Sequence, residues 1–421
     1  MASVTWLDAW LYGTRVARLE RDGDSRIHWE WTPETTARWG GGSRVVSNFF
    51  PLGDPVHPLK PKVFLDGYLP EAGTRTSHAI NAGVAPADTF GLIAAYGRDL
   101  AGALILVPEG ETAEPPNPSY RPLATADVAE RLRQAGRRTG HDSFSSLPGL
   151  VPKILLHRDG NQWYAPQGGA PSTWIIKRGH DQASPATDVI DTEVLCLRIA
   201  RRLGLTNVDA EIIDFGDRLR GIAVRRYDRA VRANGGIARL HQEDLAQAIG
   251  LNTDDPHRKI QRGAARMPSL AHAAEVLIAN GVEPDNLLRL TGFSHLVGNT
   301  DLHAKNLSYV HTATGRTALA PAYDIAMHLH LPRSTGEVAL LVNGKARFND
   351  IGWDDLVAEA ESWGIPRDRA NSLLVSLGEQ FADALQAEHA PGNHPGVPDS
   401  AWNTAAKRVT AFLRQRPALA L

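Results

Sequence analysis

The sequence is poor in cysteine and in lysine. Among its 421 residues there is one cysteine, Cys196, which excludes an internal disulfide framework and fits a reducing cytoplasm. Cys196 lies in an apolar helical pattern, so its thiol is expected to be buried rather than reactive. Lysine occurs eight times against 37 arginines, and the formal net charge is only −2. Global charge therefore gives no case for direct binding of nucleic acid.

Long hydrophobic runs are missing as well. The longest apolar stretch, residues 90–108, is interrupted by Arg98 and Asp99 and is too short and too charged to span a bilayer. The first residues, MASVTWLDAWLYG, show no basic start followed by an apolar core, so we expect no signal peptide. The sequence also shows no internal repeats. These absences predict a cytoplasmic protein that does not enter a membrane.

The length and the pattern of apolar residues predict three parts. A chain of 421 residues exceeds one simple core and suggests two or three domains. Residues 1–110 alternate apolar and polar side chains in short runs, which predicts a β-rich N-terminal subdomain with more helical character at 66–103. Residues 111–228 predict strands around one helix, and residues 229–421 are mainly helical. The predicted fold class is α+β, a two-lobed protein-kinase-like fold with the β-rich subdomain added and a mainly helical C-terminal lobe.

Local patterns at four places give further structural predictions. The Pro- and Glu-rich stretch 108–122 is expected to be a linker, and residues 153–166 a β-hairpin that turns at Asp159–Asn161. The segment HQEDL, residues 241–245, has acidic residues typical of the start of a helix. His389 and His394 lie in a loop without nearby cysteine, and we expect them to be solvated rather than metal ligands.

Residues 295–306, HLVGNTDLHAKN, have the spacing of a kinase catalytic loop. Asp301 precedes Asn306 by five positions, and Asp324 follows in the sequence PAYDIA. Phosphoryl transfer needs one carboxylate that accepts the proton of the attacking hydroxyl, and an Asn and a second carboxylate that hold Mg²⁺ on the nucleotide phosphates. Each residue alone could cap a turn or a helix, but the ordered set favours a catalytic site. His303 has no further metal ligands near it, so we interpret it as lining the nucleotide pocket or structuring the loop.

Two of the few lysines lie at candidate phosphate-binding positions. Lys177 ends the apolar strand WIIKRG, where its ammonium could face phosphates, although a surface lysine at a strand end is the alternative. Glu193, at the start of the next helix, could pair with Lys177, but acidic residues favour helix starts anyway. Gly149 and Lys153 lie in residues 143–156, which could cover phosphates with backbone N–H groups. That segment has neither G-x-G-x-x-G nor G-x-x-x-x-G-K-[ST], so taken alone an ordinary turn is the better interpretation.

Motifs along the whole chain point to one family. The segments VTW, EAGTRTSHAI, FGLIAAYGRDLAGALILVPE, SLPG…K, WIIK, LHQEDLAQAIGL, GNTDLHAKN and PAYDIA follow one another in its order and spacing. On these motifs the chain resembles the HipA family of bacterial serine/threonine kinase toxins over essentially its full length. The resemblance implies a kinase that uses ATP and Mg²⁺ to phosphorylate a serine of a protein substrate, such as an aminoacyl-tRNA synthetase. It also implies a helix-turn-helix antitoxin partner of the HipB type, so that DNA is reached only through the antitoxin.

The resemblance assigns roles to individual residues. It implies that Asp301 is the catalytic base and that Asn306 and Asp324 are the metal ligands. The residues implied to contact ATP lie in the phosphate loop, at the strand end that receives adenine and around the catalytic loop: Pro148, Gly149, Leu150, Val151, Pro152, Lys153, Lys177, Arg225, Arg226, Tyr227, His303, Lys305 and Tyr323. The serine that family members autophosphorylate corresponds to Ser146, with its neighbour Ser145 as the alternative.

Two positions depart from the family pattern. After its serine the family loop reads Gly-Ala-Gln-Glu-Lys, whereas this chain has GLVPK, in which Pro152 removes one backbone donor. At the position where the family has an acidic hinge residue, this chain has Arg225.

The leading hypothesis is an ATP- and Mg²⁺-dependent protein serine/threonine kinase toxin that inhibits growth by phosphorylating a translation protein. The alternatives are a weakly active or inactive nucleotide-binding co-repressor that acts through a DNA-binding antitoxin, and a small-molecule phosphotransferase.

Overall fold

A computed structural model describes residues 4–23, 26–115, 118–137, 147, 151–180, 184–253, 255–262 and 267–417. The chain divides into two compact units. The first unit comprises Met1–Arg178, Ala223–Arg258 and Tyr309–Ala318, and the second comprises Gly179–Ile222, Lys259–Ser308 and Leu319–Leu421. Each unit is therefore built from segments that are far apart in the sequence.

Strands and helices alternate along the described residues. The strands are β1 (Trp6–Leu11), β2 (Thr14–Arg21), β3 (Ile27–Trp31), β4 (Ile105–Pro108), β5 (Ser119–Leu123), β6 (Lys153–Asp159), β7 (Gln162–Gln167), β8 (Trp174–Arg178), β9 (Ala210–Asp214), β10 (Arg220–Arg225), β11 (Arg229–Val231), β12 (Ile237–Arg239), β13 (His241–Asp244), β14 (Ser308–His311), β15 (Thr317–Leu319), β16 (Glu337–Val342) and β17 (Lys345–Arg347). The helices are α1 (Pro33–Trp39), α2 (Leu59–Asp66), α3 (Ala72–Ala82), α4 (Thr89–Tyr96), α5 (Thr125–Arg137), α6 (Val189–Arg202), α7 (Leu245–Ala248), α8 (Leu270–Ile278), α9 (Asp285–Val297), α10 (Trp353–Ser362), α11 (Arg367–Glu388) and α12 (Asp399–Arg414).

The N-terminal part of the first unit is an antiparallel sheet with its own core. Its strand order is β3-β2-β1-β4. Alternating side chains such as Leu7 and Leu19 are fully buried, as expected for a sheet with one covered face. Phe50 packs edge to face on Trp29 and Phe64, with ring centroids 5.4 and 5.1 Å apart. The helices α3 and α4 confirm the predicted helical character of residues 66–103.

A second sheet in the first unit has two different faces. The strands β5, β7, β6 and β8 lie side by side, and the second half of β10 follows β8. Helix α5 contacts β6 and β8, and a Cβ on its Gly136 would lie 2.3 Å from the guanidinium of Arg178. Leu155 and Ile175 pack instead on the N-terminal core. Because successive side chains of a strand point to opposite faces, Lys177 lies on the face opposite α5.

The second unit is mainly helical. Helix α11 contacts α6, α9, α10 and α12, and its contact with α9 places the rings of Phe293 and Phe381 6.0 Å apart. Close packing requires Gly292, because a Cβ there would lie 2.7 Å from a methyl group of Leu377. Helix α9 ends at Gly298, whose φ of 71° is the left-handed conformation that terminates many helices. The segment with the predicted catalytic residues begins directly after this glycine.

The local predictions have mixed outcomes. The hairpin β6–β7 and the burial of Cys196 are confirmed. The expected linker is wrong in part, because β5 pairs with β7 there through contacts that its own Pro-rich sequence does not encode. None of the helices in the described part of the chain has the length and apolar character that crossing a membrane requires.

Two predictions about acidic and histidine-containing segments hold only in part, since helix α7 begins directly after Asp244 and His389 is exposed as expected. Most of HQEDL forms strand β13, and only Asp244 has a capping role, accepting a hydrogen bond from the Gln247 amide at 2.8 Å. The side chain of His394 is buried rather than solvated, because its Nε2 is 2.8 Å from the buried carboxylate of Glu388. Mainly helical structure after residue 228 is interrupted by β11–β17.

Candidate active site

The predicted catalytic loop is held to the end of α9 by Asn299. Its amide N–H donates to the Ser294 carbonyl at 2.9 Å, and its side-chain Nδ2 donates to the Ser294 hydroxyl at 3.1 Å. The Asn299 Oδ1 in turn accepts the backbone N–H of Asp301 at 2.9 Å. Asn299 is buried, so these three bonds fix where the chain leaves the helix. The backbone of Asp301 is thus placed by the helix rather than by solvent.

Asp301 and Asn306 face each other across this loop. The carbonyl of Asp301 accepts the His303 amide at 2.8 Å and the Asn306 Nδ2 at 2.9 Å. The same Nδ2 lies 3.5 Å from Oδ2 of Asp301, whose side chain is 55% exposed. Because its nitrogen is turned towards Asp301, the amide oxygen of Asn306 is the atom that can coordinate a cation. The arrangement presents an exposed carboxylate beside an oriented oxygen ligand.

Asp324 has an unusual backbone conformation. Its φ is 54°, in the left-handed region, which costs a non-glycine residue about 1–3 kcal/mol and persists only where the surrounding structure holds it. The chain two residues earlier is held on both sides: the Ala322 amide donates to the Leu205 carbonyl at 2.9 Å, and the Ala322 carbonyl accepts the Thr206 hydroxyl at 2.7 Å. Strain of this kind is concentrated at functional sites, so the backbone supports a functional role for Asp324.

Tyr323 connects the Asp324 segment to the catalytic loop. Its hydroxyl lies 2.9 Å from the Lys305 carbonyl and 2.5 Å from the Ser308 hydroxyl. The predicted metal carboxylate therefore follows a residue that is anchored to the loop containing Asn306. A phenylalanine at position 323 could not make either bond, because it has no hydroxyl group.

His303 is buried and structural rather than solvent-facing. Its residue is 6% exposed, and its Nδ1 accepts the Lys305 amide at 3.2 Å, which leaves the proton on Nε2. Burial, helped by the positive charge of Lys259, lowers the pKa of His303 to about 3. The ring is therefore neutral at physiological pH. Lys259 was not predicted from the sequence, yet it is buried and its carbonyl accepts the Ala304 amide at 3.0 Å.

Lys153 and Lys177 are paired across two strands of the first unit. In the antiparallel register of β6 and β8 they are direct partners, so both side chains lie on the face opposite α5. Lys153 is the first residue of β6, as the hairpin predicted for residues 153–166 expects. Like charges opposite each other disfavour a sheet, whereas an anion bound between them favours it. The pair fits the predicted contact with nucleotide phosphates.

The three predicted hinge residues have different surroundings. Arg225 is exposed at the end of β10, and the hydroxyl of Tyr227 bonds to Gln242. Arg226 is buried, and its amide donates to the Thr173 carbonyl at 2.9 Å. An adenine contact through that amide would have to replace this hydrogen bond. The side chain of Arg226 is bound to other protein groups, so only its backbone remains a candidate for the nucleotide.

Part of the predicted phosphate loop lies outside the described residues. This applies to Ser145, Ser146, Pro148, Gly149 and Leu150. Of the remainder, Val151 is 40% exposed. The carbonyl of Pro152 accepts the Arg178 amide at 2.9 Å, so this proline already belongs to the sheet. Glu193 is buried in α6, and its pairing with Lys177 stays a prediction.

The donor set of the second unit suits Mg²⁺ better than a metal held by protein alone. Among the residues that the structure describes, no group of three or more His, Cys, Asp and Glu could hold a metal ion. Mg²⁺ instead is bound through one or two protein oxygens together with phosphates and water. Asn306 and Asp324 are the predicted residues that could supply such oxygens.

Comparison with known proteins shows the family to which the chain belongs. Residues 145–385 match the family model for the HipA-like C-terminal domain, and residues 7–107 match that for the HipA N-terminal domain. "Putative kinase Y4mE" of Sinorhizobium fredii is 29% identical over 350 residues, which are 79% of this chain and 81% of that protein. The serine/threonine-protein kinase toxin HipA of Shewanella oneidensis is 26% identical over 368 residues, 83% of this chain and 82% of that protein.

A solved structure shows the same fold. The complex of HipA, HipB and operator DNA from Shewanella oneidensis contains a chain that matches with a TM-score of 0.78 and 23% identity. The match covers 97% of this chain and 96% of that one. The fold predicted from the sequence is thereby confirmed. The domain limits at residues 110 and 228 stay a prediction.

Proposed function

Because the chain belongs to the HipA family, we propose that it is an ATP- and Mg²⁺-dependent protein serine/threonine kinase and the toxin of a toxin–antitoxin pair. One observation carries the proposal: Asp301 presents an exposed carboxylate while its own carbonyl fixes the amide of Asn306. A turn cap would need neither the exposed carboxylate nor the oriented amide oxygen. Both are required for transfer of a phosphoryl group to a hydroxyl.

Each residue of the site has a separate role in the proposed reaction. Asp301 orients the substrate hydroxyl and accepts its proton, since its carboxylate is the exposed one in the loop. Asn306 and Asp324 would hold Mg²⁺, and Lys153 and Lys177 would meet the phosphates. When bound, Mg²⁺-ATP supplies the phosphoryl group and the charge that stabilises its transfer.

His303 contributes position and not a proton. Its ring is buried, its Nδ1 accepts the Lys305 amide, and its Nε2 lies 3.8 Å from Oδ1 of Asp301. Because its pKa of about 3 keeps it uncharged, it adds no cation beside the metal ligands. Lys305 and Tyr323 join it in shaping the nucleotide side of the loop, Tyr323 through its hydroxyl bond to the Lys305 carbonyl.

The partners follow from the relatives. The solved relative occurs with HipB and operator DNA, and we propose that this chain likewise binds a helix-turn-helix antitoxin and reaches DNA only through it. The near-neutral charge of the chain agrees with indirect contact. The substrate is proposed to be a serine of a translation protein such as an aminoacyl-tRNA synthetase, phosphorylated in the cytoplasm.

A second candidate function is a nucleotide-binding co-repressor with little transfer activity. Pro152 has no N–H to offer a phosphate, and its carbonyl is already bonded to Arg178. The alternative predicts ATP binding and antitoxin binding without phosphorylation. A small-molecule phosphotransferase, the other alternative, predicts transfer to metabolites and none to protein.

Transfer of labelled γ-phosphate from ATP to a bacterial lysate tests the proposal. Wild type should label a protein other than itself, and expression should arrest growth. Asp301→Asn should lower transfer by about 10²–10⁴-fold and abolish growth arrest while the chain stays folded. The matched control is Asp354→Asn, an exposed aspartate in the first turn of α10, which should behave as wild type. Transfer that persists in Asp301→Asn would refute the assignment, and ATP binding with no transfer at all would favour the co-repressor.

Autophosphorylation is tested by mass spectrometry of the enzyme itself. Intact-mass analysis of the enzyme after incubation with ATP should show one added phosphate, located by fragmentation at Ser146. A Ser146→Ala variant should lack it, unless Ser145 is the acceptor. Since a phosphate carries nearly two negative charges, the modified enzyme should bind ATP more weakly. Unmodified wild-type enzyme after prolonged incubation would contradict this part of the proposal.

A further inference from the structure

Charged side chains are buried in the first unit between two distant segments of the chain. Two aspartates and two arginines form this cluster: Asp99, Asp228, Arg226 and Arg229. The arginine side chains are 1% and 0% exposed and that of Asp228 is 4% exposed, while Asp99, at the edge of the cluster, is 17% exposed. Asp99 lies in the part of the chain that matches the family's N-terminal domain, and the other three lie in the part that matches its C-terminal domain. The cluster therefore joins the two family domains.

Arg226 uses its whole guanidinium group within the cluster. It donates to both carboxylate oxygens of Asp228, at 2.9 and 2.8 Å, in a bidentate pair. It also donates to the Leu100 carbonyl at 2.8 Å and the Ser172 hydroxyl at 2.9 Å. A longer contact of 3.3 Å reaches Asp99. The residue in the middle of the predicted hinge is thus bound mainly by groups outside the hinge.

The segment 99–102 of the N-terminal domain is bonded at both of its ends, through Asp99 and through Gly102. Asp99 accepts Arg229 at 3.0 Å on one oxygen and the Ser172 amide at 3.0 Å on the other. The Gly102 amide donates to Asp228 at 2.7 Å, and the Gly102 carbonyl accepts Arg229 at 2.7 Å. The segment is therefore bonded through both side chains and backbone. It cannot shift without moving the residues that follow β10.

The buried positive and negative charges of the cluster compensate one another only when all its members are present. Burial raises the pKa of Asp99, but the neighbouring Arg226, Arg229 and Arg239 outweigh burial and hold the pKa below its usual value. The same competition depresses the pKa of Asp228. Removing one acidic member leaves buried positive charge uncompensated, and such charge is relieved by rearrangement of the side chains around it.

The position of the hinge backbone depends on this cluster. Arg225 is the last residue of β10, and the Arg226 amide is fixed by Thr173 at 2.9 Å. From these contacts we infer that Asp99 of the N-terminal domain is a positioning residue for the strand end Arg225–Tyr227, so that the N-terminal domain sets the affinity for nucleotide. The inference rests on the proposed function and on the expectation, implied by the family resemblance, that this strand end receives adenine.

Nucleotide affinity of the full-length chain tests the inference. Dissociation constants for Mg²⁺-ATP and for adenosine are measured by calorimetry for wild type and Asp99→Asn. Both ligands should bind Asp99→Asn about tenfold more weakly, a factor that corresponds to ~1.4 kcal/mol. Because adenosine carries no phosphate, equal losses identify the adenine side of the site. At saturating ATP, kcat should change less than about twofold, since Asp99 does not touch the reacting atoms.

The matched control is Asp66→Asn. Asp66 is a buried aspartate of the same N-terminal domain, and it accepts Lys62, Arg75 and Thr89 at 2.6, 2.8 and 2.6 Å. This variant loses comparable stability without touching the hinge, so it should bind both ligands like wild type. If Asp99→Asn does not fold, Ser172→Ala removes one neutral acceptor of Arg226 and should weaken both ligands about threefold.

The outcomes separate the inference from the proposed function. The inference is overturned if Asp99→Asn or Ser172→Ala binds ATP as tightly as wild type. Equal losses in Asp99→Asn and Asp66→Asn also overturn it, because they show general destabilisation. ATP binding that depends on Asp99 without any phosphoryl transfer refutes the kinase and leaves the inference standing. Wild-type protein that binds neither ligand refutes both.

Discussion

Replacing Asn306 with aspartate should inactivate the site, although a carboxylate is a stronger ligand of Mg²⁺ than an amide. The reason is that the amide group of Asn306 also has a nitrogen, which aspartate lacks. Nδ2 of Asn306 donates to the Asp301 carbonyl at 2.9 Å and lies 3.5 Å from its Oδ2. In the variant an oxygen replaces that nitrogen and faces two other oxygens. The loop can then relieve the repulsion only by opening.

The size of the effect follows from these distances. Two unit charges about 4 Å apart repel by about 1 kcal/mol in water and about 4 kcal/mol near a protein surface. Since 55% of the Asp301 side chain is exposed, the lower part of this range applies. The lost hydrogen bond adds about 1 kcal/mol, so the loop of Asn306→Asp should be destabilised by about 2–3 kcal/mol. Asn306→Ala loses only the hydrogen bond and should be destabilised by about 1 kcal/mol.

Hydrogen exchange of the amides at 299–306 measures the opening of the loop. Without Mg²⁺ the order of protection should be wild type, then Asn306→Ala, then Asn306→Asp. Added Mg²⁺ should restore much of the protection in the aspartate variant and little in the alanine variant, because a cation offsets the repulsion between carboxylates. Single-turnover transfer should fall on the order of 10²-fold in both, as expected when reacting groups are displaced. Wild-type protection and transfer in Asn306→Asp would refute the argument.

Three further predictions concern neighbouring residues. Asp324→Gly and Asp324→Ala should both lose transfer, but by thermal denaturation the glycine variant should be more stable by about 1 kcal/mol, because only glycine adopts the positive φ without strain; equal stabilities would contradict the strain. The folded pKa of His303, about 3, lies below the unfolded value of about 6.5, so this group withdraws stability as pH falls below about 6.5, by about 1.4 kcal/mol per unit. The stability deficit of His303→Asn should accordingly be smaller at pH 5.5 than at pH 8, and a deficit independent of pH would show that the pKa of the ring is not lowered by folding. Tyr323→Phe removes the bonds to Lys305 and Ser308 and should reduce kcat several-fold with a smaller change in ATP affinity, whereas unchanged kcat would exclude this link.

Elements defined by local patterns were predictable from the sequence. Alternation and the Gly160 turn gave the β6–β7 hairpin, and an amphipathic stretch gave α6. The predicted catalytic loop could be found from the sequence because Asp301 and Asn306 belong to one short segment, in which Asn299 and Asn306 bond to the backbone of Asp301. Short-range rules suffice where a side chain bonds to residues a few positions away.

Residues whose partners lie far along the chain were missed. Glu243 looked like an acid at a helix start, but it is buried and accepts hydrogen bonds from Ser47, Asn48 and His311. The sequence holds no sign of these contacts, which span between 68 and 196 positions. For the same reason the surroundings of the Arg226 side chain were not anticipated, since nothing near it in the sequence reveals its bonds to Leu100 and Ser172.

The pairing of Lys153 with Lys177 also restricts where insertions and deletions can occur in this part of the sequence. One residue inserted into β8 ahead of Lys177 would turn its ammonium towards α5 and bring Ile176 to the phosphate side, although no lysine would be lost. An insertion in the turn at Gly160 leaves the β6–β8 register intact. Insertions and deletions among homologues should therefore collect in that turn and avoid both strands, and alignments that require a gap inside β6 or β8 would identify members that have given up the lysine pair.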